Sequence, residues 1–161
     1  MRSSQSNTQG QHSSMQQQQD RLGPAHIRLA GLQIWVQRRQ FPERNDYWDA
    51  NWIIATVQCG AEGADVWIKG PIIHLPEIER WADEAEQLYK TLSGEANLDC
   101  MEPELSVELK AKELGHISMV VTITPNNVTQ EHTFQFELDQ SFLVGLISDC
   151  RRVLREFPIK R

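Results

Sequence analysis

Carboxylates at Glu43, Asp46 and Asp49 recur every three residues in a segment that also holds Tyr47, Trp48, Asn51 and Trp52. With Glu102 from a second acidic stretch, 95–104, they could supply hard oxygen ligands to a divalent cation or divide acid and base roles. The spacing matches neither a calcium loop nor a paired-carboxylate glycosidase. The plainer expectation is that these groups cap turns and pair with Arg38, Arg39 and Arg44, leaving no metal and no cofactor. Nucleophilic catalysis has no support either, because a Gly-x-Ser-x-Gly elbow is missing from the sequence. Cys59, Cys100 and Cys150 fall in apolar phases that predict buried, inert thiols. His12, His26, His74, His116 and His132 are scattered with no i, i+4 pair, so structural roles are expected of them.

The same segment suits recognition better than chemistry. Tryptophans fill cores or anchor interfaces. Trp35, Trp52, Trp67 and Trp81 sit where core packing is expected, whereas Trp48 lies between acids and outside any strand phase. From Glu77 to Glu104 there are nine acids against only Arg80 and Lys90. A run of this kind is either a solvated helix face or a docking face for a basic protein. The candidate partner-binding set is therefore Asp46, Tyr47, Trp48, Asp49, Asn51, Glu79, Asp83 and Glu86.

Several elements must position these residues. Ile27 and Leu29 alternate in one phase and Leu32, Ile34 and Val36 in the other, and the shift at Gly31 predicts a β-bulge. Residues 52–59 and 65–73 are β-rich runs around Gly60-Ala61-Glu62-Gly63, so the first half reads as a three-stranded meander. Pro76, Glu77 and Glu79 open a helix whose apolar stripe runs through Ile78, Trp81, Ala85 and Leu88, with Gly94 able to close it. Alternation resumes at 105–111, 117–123 and 134–138, and Asp139 is placed to cap a last helix ending at Pro158. The fold class is α+β: a mainly antiparallel sheet of about six to seven strands, in one sheet or two packed ones, with one central and one C-terminal helix.

The 161 residues suffice for one substantial core, taken as a single domain over 25–161. Residues 1–24, rich in Ser and Gln, bury too little to order and read as a disordered tail; Met1 and Met15 are both candidate starts. A net charge of −6 and a pI near 5.3 disfavour nucleic acid and anionic membranes as partners. Three widely spaced cysteines fit a reduced cytoplasm, and no segment approaches a membrane span.

The Phe41-Pro42 pair followed by Asp46-Tyr47-Trp48-Asp49-Ala50-Asn51-Trp52 resembles the (Tyr/Phe)-Pro…(Asp/Glu)-x-Trp-Asp-x-Asn-Trp signature of small bacterial proteins that include WapI-type immunity proteins. The likeness extends more loosely over residues 26–158. It implies a non-enzymatic antidote that binds and blocks a toxin domain, commonly a nuclease, with Trp48, Asp49, Asn51 and Trp52 at the signature positions. The leading expectation is thus a cytoplasmic protein that engages a basic protein partner. The alternatives are an enzyme or metal binder built on Glu43, Asp46, Asp49 and Glu102, and a homodimer that buries the tryptophan loop.

Overall fold

A computed structural model describes residues 7–161. After α1 (Asn7–Leu22) come β1 (Ile27–Leu29), β2 (Leu32–Arg39), β3 (Trp52–Ala61) and β4 (Ala64–His74), then α2 (Leu75–Thr91). The second half holds β5 (Glu95–Asp99), β6 (Leu105–Ala111), β7 (His116–Ile123), β8 (Thr133–Asp139) and α3 (Ser141–Glu156). Each half forms a four-stranded antiparallel sheet with its strands in chain order. The class is α+β, as the alternation predicts.

Three local expectations need correction. The described residues contain three helices where two were expected. The third, α1, occupies most of the stretch read as a tail, of which residues 1–6 lie outside the described residues. Glutamine is a good helix former, and neither Gly nor Pro interrupts residues 11–22 before Gly23-Pro24. The phase change at Gly31 is a two-residue reversal between β1 and β2, not a bulge: Leu29 pairs with Leu32 and Ile27 with Ile34. Reversal puts both phases on one face. A Cβ on Gly31 would stand 2.0 Å from the Gly60 carbonyl, so only glycine lets β3 approach there. Finally, residues 95–99 of the acidic stretch form a strand that the sequence reading did not include, with Ala96 and Leu98 buried while Glu95 and Asp99 face solvent.

One apolar cluster unites the molecule. Strands β6 and β7 bury every second residue, and these meet the buried face of the first sheet and the stripes of α2 and α3. Trp81 is completely buried at its centre, whereas Trp35 lies on the opposite side of the first sheet, stacked on Trp67 at 5.6 Å, with its indole N–H donating to the Gly23 carbonyl. Helices α2 and α3 also close two sheet edges that would otherwise present unpaired donors. Glu84 accepts from the Asn97 N–H of β5 at 2.7 Å, and Asp149 accepts from the Arg28 N–H of β1 at 3.1 Å. The N-cap of α3 is Gln140 and not Asp139 as expected; Asp139, one residue earlier, accepts from the Ser141 N–H at 2.7 Å in a turn that leads into the helix.

Candidate functional site: the aromatic loop and the first turn of the central helix

Between β2 and β3 the chain leaves the sheet and returns through a short 3-10 turn, Asp49–Asn51. Asp46 starts that turn by accepting the Asp49 N–H at 2.7 Å, the bond that chiefly holds its carboxyl below the usual carboxylate range. Asn51 closes it from inside. Completely buried, its amide donates to the carbonyls of Tyr47 and Lys160, each at 2.8 Å, and accepts the Lys160 N–H at 2.9 Å.

The C-terminal segment is therefore part of the loop. The Lys160 ammonium donates to the carbonyls of Arg44 (2.6 Å) and Pro42 (3.1 Å). The Arg39 guanidinium bridges the Ala50 and Pro158 carbonyls, and its partial burial lowers its pKa. Two chain segments more than a hundred residues apart thus hold one irregular loop rigid.

His74, at the junction of β4 and α2, is the hub beneath it. The ring is buried and its Nε2–H donates to the Trp48 carbonyl at 3.0 Å. Around it stand Trp52 (centroids 5.0 Å apart), Tyr47 (edge-on, 5.7 Å) and Trp48 (stacked, 5.9 Å). The same residue's backbone N–H is capped by Glu77, whose other oxygen accepts the Met101 N–H at 2.9 Å. Burial raises the Glu77 pKa above its ordinary value, with those two hydrogen bonds opposing the rise.

On this base Trp48 projects into solvent, 63% exposed, beside Met101 (55%) and Tyr47 (38%). The three flank a depression of about 420 Å³ whose far wall is the start of α2 with Glu79, Asp83 and, from the end of β5, Asp99. Of the expected set, Tyr47 and Trp48 from the loop and Glu79 and Asp83 from the helix line this depression, whereas Asp46, Asp49, Asn51 and Glu86 do not. The loop and helix residues differ in what they are free to do. Both Glu79 carboxylate oxygens accept from one nitrogen, Nη2, of Arg161, at 2.9 and 3.0 Å, and Arg151 holds Asp83 at 2.6 Å and Glu86 at 3.2 Å. The α2 acids thus form two rows, Glu77 and Glu84 turned to backbone donors near β5, and Glu79, Asp83 and Glu86 turned to arginines of the C-terminal region. The free acidic helix face expected from the sequence is largely neutralised. Asn51 likewise cannot touch a partner as a buried residue; it builds the loop.

Asp49 lies 4.0 Å from Arg44, and Glu43 is exposed. Glu102 lines a different cleft with Trp67 and Lys69. Among the described residues no group of three or more His, Cys, Asp or Glu side chains is placed to hold a metal ion, so the carboxylates of the alternative metal site do not converge. The three cysteines are unpaired; Cys59 and Cys150 are buried as expected and Cys100 only half-buried, and desolvation pushes the Cys59 and Cys150 thiols up to about 12 and Cys100 higher still. His74, Lys160 and Met101 were not singled out by sequence. The one local signal was His74-Leu75-Pro76-Glu77, where an acid three residues after a helix-capping position marks a capping arrangement.

A family model, the immunity protein WapI-like family, matches residues 26–158. The chain belongs to this family. Its match begins just before β1 and ends just past α3, so α1 stands outside it while both sheets, the loop and His74 stand within. No curated protein and no solved structure matches the chain. Among the described residues no helix is long and apolar enough to cross a membrane.

Proposed function

We propose that this WapI-like chain acts in the cytoplasm as an immunity protein, without turnover, by binding a toxin domain through the depression beside Trp48. One observation carries this reading: a tryptophan 63% exposed on a loop whose backbone is pinned by Asn51, Arg39, Lys160 and His74. An indole held rigid in water stabilises nothing nearby in proportion to its apolar area, and ordering it in advance removes much of the entropic cost of association. Tyr47 and Met101 extend the apolar anchor, Glu79, Asp83 and Asp99 line the depression with it, and Asp46, Asp49 and Glu86 would be contacts beyond its lining. The acids favour a basic partner chiefly by steering and orientation, since Asp49, Glu79, Asp83 and Glu86 already carry arginine partners. Three unpaired thiols fit a reducing compartment.

The test is rescue. Cells arrested by a toxin domain identified among the neighbouring genes should regain growth when the chain is co-expressed, and Trp48→Ala should abolish rescue with little change in melting. Absence of rescue by the wild-type chain, or full rescue by Trp48→Ala, refutes the reading.

A further inference from the structure

The depression has two unlike walls, and together they specify the side chain it takes. One face of the Trp48 indole is covered by His74, stacked at 5.9 Å with an interplanar angle of 14°. The ring is nonetheless 63% exposed, so the opposite face is open. Across from it, Asp99 brings a carboxylate that has no intramolecular hydrogen bond or ion pair among the described residues. Asp83 stands on the same wall with one oxygen taken by Arg151. The single cation lining the depression, Arg80, donates to the Asp99 backbone carbonyl at 3.2 Å and leaves that carboxylate unpaired. The positive end of α2 is answered by buried Glu77, which caps it.

Resting on the partner-binding reading above, we propose that this depression receives an arginine of the partner, its guanidinium lying flat on the open face of Trp48 and its N–H groups reaching Asp99 and Asp83. An open indole is the best aromatic acceptor for a cation, and a planar guanidinium can stack and donate at once, which an ammonium cannot. The acids of α2 beside the depression already take arginines: Nη2 of Arg161 donates to both Glu79 oxygens, and Arg151 spans Asp83 and Glu86. A partner arginine would do the same for Asp99, the exposed carboxylate across the depression on β5.

Blocked arginine (N-acetyl-arginine methylamide) titrated into the full chain at low salt, followed by NMR, tests this directly. The Trp48 indole N–H and Asp99 amide resonances should shift saturably. The citrulline analogue, neutral and nearly isosteric, should bind at least about three-fold more weakly, the scale of an exposed cation–π contact. Asp99→Asn should weaken arginine by a similar factor, and Trp48→Leu should remove the effect while keeping apolar bulk. Equal binding of citrulline, shifts confined to other regions, or no saturable shift overturns the proposal. If Trp48→Ala still abolishes toxin rescue in that event, the partner-binding reading stands and only the arginine assignment falls.

Discussion

Replacing Asn51 with Ala separates the scaffold of the aromatic loop from its working surface. The side chain is completely buried and makes three short bonds to backbone groups, to the Tyr47 carbonyl and to both the carbonyl and the N–H of Lys160. Truncation leaves those groups unpaired. A buried polar group without a partner costs ~1–3 kcal/mol, and because both strands of the contact lie near the surface and water can recover part of this, the total is about 3 kcal/mol. For a domain of this size that lowers Tm by about 9 °C. Trp48→Ala provides the contrast. It forfeits its ring contacts with His74 and Tyr47, worth about 1 kcal/mol and about 3 °C. Thermal melts followed by circular dichroism, with urea titrations to check that the m-value is unchanged, measure both. An Asn51→Ala protein melting within two or three degrees of wild type, or a Trp48→Ala protein losing as much as Asn51→Ala, would refute the assignment of these residues to opposite roles.

Three further outcomes follow from the same contacts. Arg151→Ala frees Asp83 and Glu86, and since the pairs are partly solvated the cost is about 1 kcal/mol or less, shrinking in high salt; urea melts at two ionic strengths read it. Glu77 titrates higher folded than unfolded, so folding takes up a proton between its ordinary value of 4.5 and the raised one. Its contribution is therefore most favourable at and below 4.5 and declines as pH rises through the raised value. Glu77→Gln should flatten that part of the Tm–pH profile while costing about 1–2 kcal/mol for one lost backbone acceptor. Finally, the Cys59 and Cys150 thiols, raised to about 12, and Cys100, raised further, should resist an aromatic disulfide reagent at pH 8 and all react after unfolding; rapid native labelling would show that the burial is wrong.

Much of the fold was legible because it rests on local periodicity. Strands β6 and β7 bury alternate residues along their whole length, as Val107, Leu109, Met119 and Val121 require. The stripe Ile78, Trp81, Ala85 and Leu88 likewise shows in α2. What failed was the reading of short signals with two physical meanings. A phase shift across Ala30-Gly31 is produced equally by a bulge and by a two-residue reversal, and only the approach of the Gly60 carbonyl to Gly31 decides between them. Glu95 to Asp99 carries three polar side chains among five residues, so its two buried ones, Ala96 and Leu98, are too few to announce a strand.

The candidate site was half legible for a related reason. Trp48 stood out because it broke every periodic pattern around it, and a residue that no element can bury must either find a tertiary partner or stay in water. Its neighbours gave no comparable sign, since Asn51 and Lys160 act across 109 positions and His74 reaches the loop only after β3 and β4 are paired. The acids of α2 misled for the opposite reason. Composition counts charge, whereas the field at a surface depends on what each charge faces, and the arginines at positions 151 and 161 come from a segment the helix meets only in the folded state. Once they dock, Glu79 and Asp83 are answered, and Asp99 is left as the exposed carboxylate of the depression without an ion pair among the described residues. On the reading proposed above, a partner steered there would meet the open indole and the unpaired carboxylate together, so selection would rest on a small arrangement of groups and net charge would serve mainly to bring the partner near.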